Sequence, residues 1–286
     1  MSQILNEILK GSNLYCKRSD FVSFLYTIFE KTGQQPSQKT AYPLLYINGA
    51  GEINTDPKAE SGKKIAIVPI SGLMTKYGDW WTYGIAEIGE YILDLYNSAD
   101  IEGIIVKYDT GGGTMGAIIE LESIFGMRNK PVFSLIDSNC YSAGIYTAMF
   151  TDGIFATNSK CGVGSVGVMT RIIDDSKLLE NWGIVVREVY PPESKFKNKA
   201  INEAIAGNDA LLIEEILSPM AIMFQNAVKN ARPNLDMSVE GIIEGKDFFA
   251  DKAVDAKMID GIKTMPEMIQ HVLNYTTGKT IQNVLT

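Results

Sequence analysis

The sequence predicts an α/β domain built on a parallel sheet, and three observations lead there. Short β-branched or aromatic runs alternate with helix-length amphipathic segments through the middle of the chain. The spacing between successive runs is long enough to hold a crossover helix, as neighbouring parallel strands require. A glycine-rich turn, Asp109-Thr110-Gly111-Gly112-Gly113-Thr114-Met115-Gly116, separates one such strand from the helix behind it.

Taken in order, residues 1–60 form a preamble. Phe21, Leu25, Ile28 and Phe29 recur at helical spacing behind Ser19-Asp20 and ahead of Gly33, which predicts an N-terminal helical appendage. Residues 34–63, rich in Gly, Pro, Ser and Lys, predict a loose linker with a short strand at 43–47. The main domain spans 61–275. It opens with a strand at 64–70, then a helix at 84–96 carrying Ile85, Ile88, Ile92 and Leu95 on one face. A strand at 104–108, a helix at 117–127, a strand at 132–136, a helix from Ser142 and a strand at 153–156 continue the alternation. Next come a short strand at 163–169, a helix at 176–181 and a strand at 184–189, before Tyr190-Pro191-Pro192 breaks the pattern. Helices at 208–217 and 221–230, divided by Pro219, precede Phe248-Phe249 and a closing segment at 254–262. A last amphipathic helix covers 265–273, and residues 276–286 predict a flexible tail.

Composition narrows the function. Hydrophobic residues make up 45% and charged ones 21% of the 286 residues, enough for a sizeable core. A net charge of −8 leaves no basic excess to neutralise phosphates, which argues against nucleic acid and anionic membrane as partners. Cys16, Cys140 and Cys161 form no C-x-x-C pair and leave one unmatched, fitting a reducing compartment. The start shows no basic leader, and no run of about 18 apolar residues occurs, so a soluble cytoplasmic protein without a membrane anchor is expected. The single histidine, His271, lies on the final helix. A Ser–His–Asp triad is therefore improbable, and a zinc site would lack ligands.

Chemistry concentrates in Asn139-Cys140-Tyr141-Ser142-Ala143-Gly144-Ile145-Tyr146. A serine placed where a buried strand turns into a helix has an exposed hydroxyl, with the next amide at the positive end of the helix. A simple helix cap is the ordinary alternative. The glycine turn also admits more than one reading. Gly111, Gly113 and Gly116 satisfy G-x-G-x-x-G, with Asp137 at the distance of a ribose-binding carboxylate. Equally, one of its amides could serve an oxyanion hole for acyl transfer, or the glycines could make a plain turn. Position favours acyl transfer: the dinucleotide fingerprint belongs to the first βα unit, whereas this turn belongs to a later one. Consecutive parallel strands would also bring the Gly113 amide beside Ser142.

A serine nucleophile needs a base. Without histidine, a neutral lysine is the usual substitute, yet at an ordinary pKa of about 10.4 only about one lysine in 2,500 is neutral at pH 7. Burial among apolar groups, away from carboxylates, lowers that pKa. Lys195, Lys197 and Lys199 flank Phe196 and Asn198, and would face one way if extended. Spacing does not choose among them, and a solvated basic loop is the plain alternative.

Together these pieces resemble the signal peptide peptidase A (protease IV) family of Ser–Lys peptidases and its phage-encoded head-maturation members. The resemblance runs from about Lys64 to Ile262. It rests on Ile67-Val68-Pro69-Ile70-Ser71-Gly72, the Asp109–Gly113 turn, Tyr141-Ser142-Ala143-Gly144-Ile145-Tyr146, Val163-Gly164-Ser165-Val166-Gly167-Val168 and Ser194-Lys195-Phe196-Lys197-Asn198. It implies a crotonase-like (Clp-like) α/β fold and peptide-bond hydrolysis with no metal or cofactor. By position it implies Ser142 as nucleophile, Lys197 as general base, Gly113 and Ala143 as oxyanion donors, and Ser165 as the serine supporting the lysine. It further implies a homo-oligomeric ring and, for the phage-type members, scaffold or capsid polypeptides as substrates in the host cytoplasm or the prohead interior. A soluble cellular peptidase is the nearest alternative. A nucleotide- or acyl-CoA-binding protein and a catalytically silent assembly subunit are the alternatives of other classes. Gly111 stands where the family usually has proline, and Ala143 where it usually has a second glycine.

Overall fold

The computed structural model describes residues 14–16, 41–48, 52–56, 63–79, 82–174 and 176–285, with the backbone alone at 14–16 and 277–285. In chain order the elements are β1 (Leu14–Cys16), β2 (Leu45–Asn48), β3 (Ile53–Asn54), β4 (Lys64–Ser71), α1 (Ile85–Asn97), β5 (Ile101–Thr110), β6 (Gly112–Thr114) and α2 (Met115–Gly126). There follow β7 (Val132–Tyr141), α3 (Ala143–Ala148), β8 (Ile154–Ala156), β9 (Gly162–Gly164), α4 (Ser176–Asn181) and α5 (Lys199–Ile205). The chain closes with α6 (Ala210–Ala231), β10 (Asp247–Phe249), α7 (Ala250–Asp255), β11 (Gly261–Ile262) and α8 (Met265–Leu285).

Most described strands join one nine-stranded sheet in the order β10-β9-β7-β5-β4-β2-β3, with β8 and β11 paired beside β7. Its centre, β4, β5 and β7, is parallel, as the alternation predicts. Ile104, Ile105 and Val106 on β5 have no solvent exposure on either face, the signature of a parallel strand covered on both sides. One face packs under α1, α2 and α3, where Ile88, Ile92, Leu121 and Ile145 meet Ile104 and Val106. The other face, with Ile65, Ile105, Phe133 and Leu135, packs under Met268 and Val272 of α8. A separate antiparallel pair joins β1 to β6.

Four expectations need correction. The preamble's loose linker contains β2, which pairs antiparallel with β4, so the sheet starts before residue 61; the helix anticipated at Phe21–Phe29 lies outside the described residues. The strand expected at 184–189 does not form. Ile184, Val185, Val186 and Val189 are 48%, 85%, 65% and 81% exposed, and a β-prone run makes no strand without a neighbour for its backbone groups. Pro219 does not divide two helices. It lies inside the continuous Ala210–Ala231 helix, just behind a π-type turn at Ile213–Leu217, a local adjustment of the kind that accommodates a residue with no N–H. Finally, the tail from 276 continues α8 to Leu285. Thr276-Thr277-Gly278 are poor helix formers, but their penalty of up to about 1 kcal/mol each is not a stop signal.

Candidate active site

β5 and β7 are parallel neighbours, with Ile104 opposite Val132 and Thr110 opposite Cys140. Their C-terminal ends thus lie side by side, one entering the glycine turn and the other entering Ser142. In open α/β sheets this is the end at which ligands bind.

The chain passes from β7 into α3 through a single residue. Ser142 has φ 52° and ψ −116°, a conformation whose strain is on the order of 1–3 kcal/mol outside glycine. Neighbours enforce it. The Ser142 N–H donates to the Gly164 carbonyl at 3.0 Å, and the Tyr146 N–H donates to the Ser142 carbonyl at 2.9 Å. The Ser142 side chain makes no capping bond to the helix it precedes, so the cap reading falls away. What is left is a largely buried serine on a sharp strand-to-helix turn, its hydroxyl free of the helix ladder.

Two contacts lock α3 against β5. The Tyr108 hydroxyl lies 3.1 Å from Thr147 Oγ1, which in turn is 3.0 Å from both the Ala143 and Gly144 carbonyls. Burial pushes the Tyr108 hydroxyl's pKa up, keeping it a neutral hydrogen-bonding group. At Gly144, a Cβ would stand 2.6 Å from Thr110 Cγ2, so the helix backbone rests directly on the end of β5.

The glycine turn has fewer free amides than its composition suggests. Gly112 N–H donates to Thr110 Oγ1 at 3.0 Å, and Thr110 Oγ1 donates to the Gly72 carbonyl at 2.6 Å. Thr114 N–H donates to the Met74 carbonyl at 2.8 Å. The Gly113 amide, between them, points to the opposite edge of β6. Asp137, the carboxylate a dinucleotide reading would need, is paired with Lys107 at 2.8 Å.

Ser165 follows Gly164, the residue that accepts the Ser142 amide, and is half-buried with φ 57°. Its own N–H donates to the Lys246 carbonyl at 2.9 Å. Backbone bonding therefore brings Ser142 and Ser165 into one neighbourhood. Lys197 is exposed, on a turn between the 3₁₀ segment Pro192–Ser194 and α5. The lysine run is not extended, so alternation does not align its three amines. Lys195 and Lys199 lie 5.2 and 5.4 Å from the Phe196 ring, and Lys199 also pairs with Glu203 at 3.6 Å. Among the described residues, Lys197 is the one of the three with neither a ring contact nor an ion pair. The next residue, Asn198, is left-handed at φ 60°, so among the described residues three of the four positive-φ residues other than glycine sit at or beside Ser142, Ser165 and Lys197.

His271 packs between Phe133 and Phe155, with ring centroids 5.1 and 4.9 Å away. Those rings belong to the α8 face of the sheet, whereas α3 lies on the other face. A serine whose histidine is across the sheet must find another base.

The family model for peptidase family S49 matches residues 125–275. This chain belongs to peptidase family S49. It is a serine peptidase, and the matched span of this S49 peptidase holds Ser142, Ser165 and Lys197 while beginning after Gly113. Among solved structures it is similar to a 1510-N membrane-bound stomatin-specific protease mutant in complex with a substrate peptide. That likeness has 16% identity over 73% of this chain and 80% of that chain, with a TM-score of 0.46. A second mutant of the same protease has 15% identity over 73% and 84%, with a TM-score of 0.48. A putative enoyl-CoA hydratase/isomerase family protein from Hyphomonas neptunium has 12% identity over 78% and 74%, with a TM-score of 0.43.

The sequence reading missed the Tyr108–Thr147 strut and the role of Thr110 in occupying the Gly112 amide. Thr110 had a signal, standing inside the glycine turn. Tyr108 and Thr147 had none, because each looks like ordinary core or helix filling.

Proposed function

We propose that this S49 peptidase is an endopeptidase working through Ser142 and Lys197. A neutral Lys197 amine takes the Ser142 hydroxyl proton as Oγ attacks the scissile carbonyl. The Gly113 and Ala143 amides receive the negative charge that develops on the carbonyl oxygen. Lys197 then protonates the leaving amine, and the acyl-enzyme is hydrolysed by a water that the same lysine deprotonates. Ser165 holds the amine in place. The observation that carries this reading is the Ser142 turn: strained, tied through its amide to Gly164, and with its hydroxyl uncommitted to the helix.

Lys197 is exposed in a single protomer, and burial is what makes a lysine a base. That supports a homo-oligomeric ring in which a neighbouring subunit covers the lysine-bearing lobe and completes each site. The apolar surface on the same lobe and on α6 supports this too, with Val185, Val186, Phe196, Ile213 and Ile222 all exposed. By length and composition α6 could cross a membrane, with 17% of its window buried. Its Phe224 packs on Tyr146 of the same chain at 5.0 Å between ring centroids, which favours a helix of the folded domain over a lipid anchor. For substrates we infer scaffold or capsid polypeptides cut in an assembling phage prohead, in the host cytoplasm, on the resemblance of the five sequence pieces. The net charge of −8 fits protein partners over nucleic acid.

Labelling with a serine-directed phosphonate, mapped by mass spectrometry, should place the adduct on Ser142. Ser142→Ala and Lys197→Ala should each lower cleavage of an unfolded protein by at least about 10³-fold with folding intact. Substantial cleavage by the alanine-142 enzyme would end the proposal.

A further inference from the structure

We propose that the chain's own segment Leu14–Cys16 occupies the strand edge on which a substrate backbone must lie, making it an intramolecular competitor of substrate. The inference rests on the reading of Gly113 as oxyanion donor. On one edge of β6, Met74 N–H donates to the Gly112 carbonyl at 2.9 Å and Thr114 N–H donates to the Met74 carbonyl at 2.8 Å. Along a strand the backbone groups of successive residues point to alternate edges. The N–H and C=O of Gly113 therefore face the other edge. There β1 runs antiparallel, with Leu14 opposite Thr114, Tyr15 opposite Gly113 and Cys16 opposite Gly112. Tyr15 thus stands at the position paired with Gly113, where its carbonyl meets the amide that would hold the scissile carbonyl.

An extended peptide docking by strand addition needs the same row of groups, because that edge is the one Met74 leaves open. Two strands cannot share it. The segment is nevertheless displaceable: β1 pairs over three residues, outside the nine-stranded sheet, and so short a two-stranded pair is marginal by itself. Its advantage is the tether, which fixes a high local concentration. The expected device is an equilibrium between covered and open sites. Such an equilibrium raises the apparent KM and leaves kcat unchanged, since saturating substrate displaces the strand.

The test uses the full-length protein with Tyr15→Pro, which removes an N–H and cannot sit in the ladder. Expected is a fall of about fivefold in KM for an unstructured polypeptide at unchanged kcat, the size of losing one or two backbone hydrogen bonds. Hydrogen–deuterium exchange over residues 112–114 should speed up in the same variant, and in a Ser142→Ala background as well. Unchanged exchange would show that β1 does not cover β6, and faster exchange with unchanged KM would show that it does not compete. Either overturns the proposal. Failure of the catalytic reading looks different: the Ser142→Ala enzyme would still cleave, while the exchange response to Tyr15→Pro persisted.

Discussion

At Gly113 the absence of a side chain decides both packing and chemistry. A Cβ there would stand 1.9 Å from the Met74 carbonyl oxygen, so Gly113→Ala must push β6 away from the Met74 segment. Alanine keeps the amide N–H but must shift it. A shift out of reach of the oxyanion should lower kcat by about 10²–10³, the size of losing one donor, and the overpacking should also destabilise by about 1–3 kcal/mol. Steady-state kinetics together with thermal melting check both parts; a variant that melts lower but keeps its kcat would remove Gly113 from the oxyanion hole. This turn and Ser142 were legible in the sequence because each interrupts a buried strand with residues too small for a core. Lys197 was not legible from spacing. Lys195 and Lys199 contact the Phe196 ring, and Lys199 also Glu203, through a turn rather than an extended run; the choice of Lys197 rests on the resemblance.

Helix α8 shows how an element's packing can replace a residue's chemistry. Burial against Phe133 and Phe155, assisted by Lys263 and opposed by Asp260, lowers the His271 pKa from its ordinary 6.5. With the folded value depressed, the unfolded chain binds the proton first as pH falls. The unfolded state then carries more protons, so stability declines with acidification from about pH 6.5 down to the folded pKa. Melting temperatures measured between pH 7 and pH 5 should therefore fall less in His271→Leu than in the parent chain; equal slopes would contradict it. Elements were legible where periodicity met a partner within the chain, as in β4, β5, β7, α1 and α2. They were misread where a partner was lacking or a breaker was tolerated. Residues 184–189 have strand composition but no neighbouring edge, and Pro219 lies inside a continuous helix just behind a π-type turn.

For the whole molecule, the exposure of Lys197 bears on the proposed assembly. If each site takes its serine from one protomer and its lysine from the next, an equal mixture of Ser142→Ala and Lys197→Ala chains, reassembled together, should recover about a quarter of parental activity. That fraction is the chance that a random neighbour pair keeps both groups. A dyad completed within one protomer would give none. The α/β class was visible at this scale from the alternation alone, whereas the proposed completion of a site between subunits would depend on which surfaces stay uncovered after folding. Val185 and Val186 show the consequence. A lone copy leaves them bare to water; in the proposed ring they would become contact surface, and cleavage per chain should then rise with the concentration of chains.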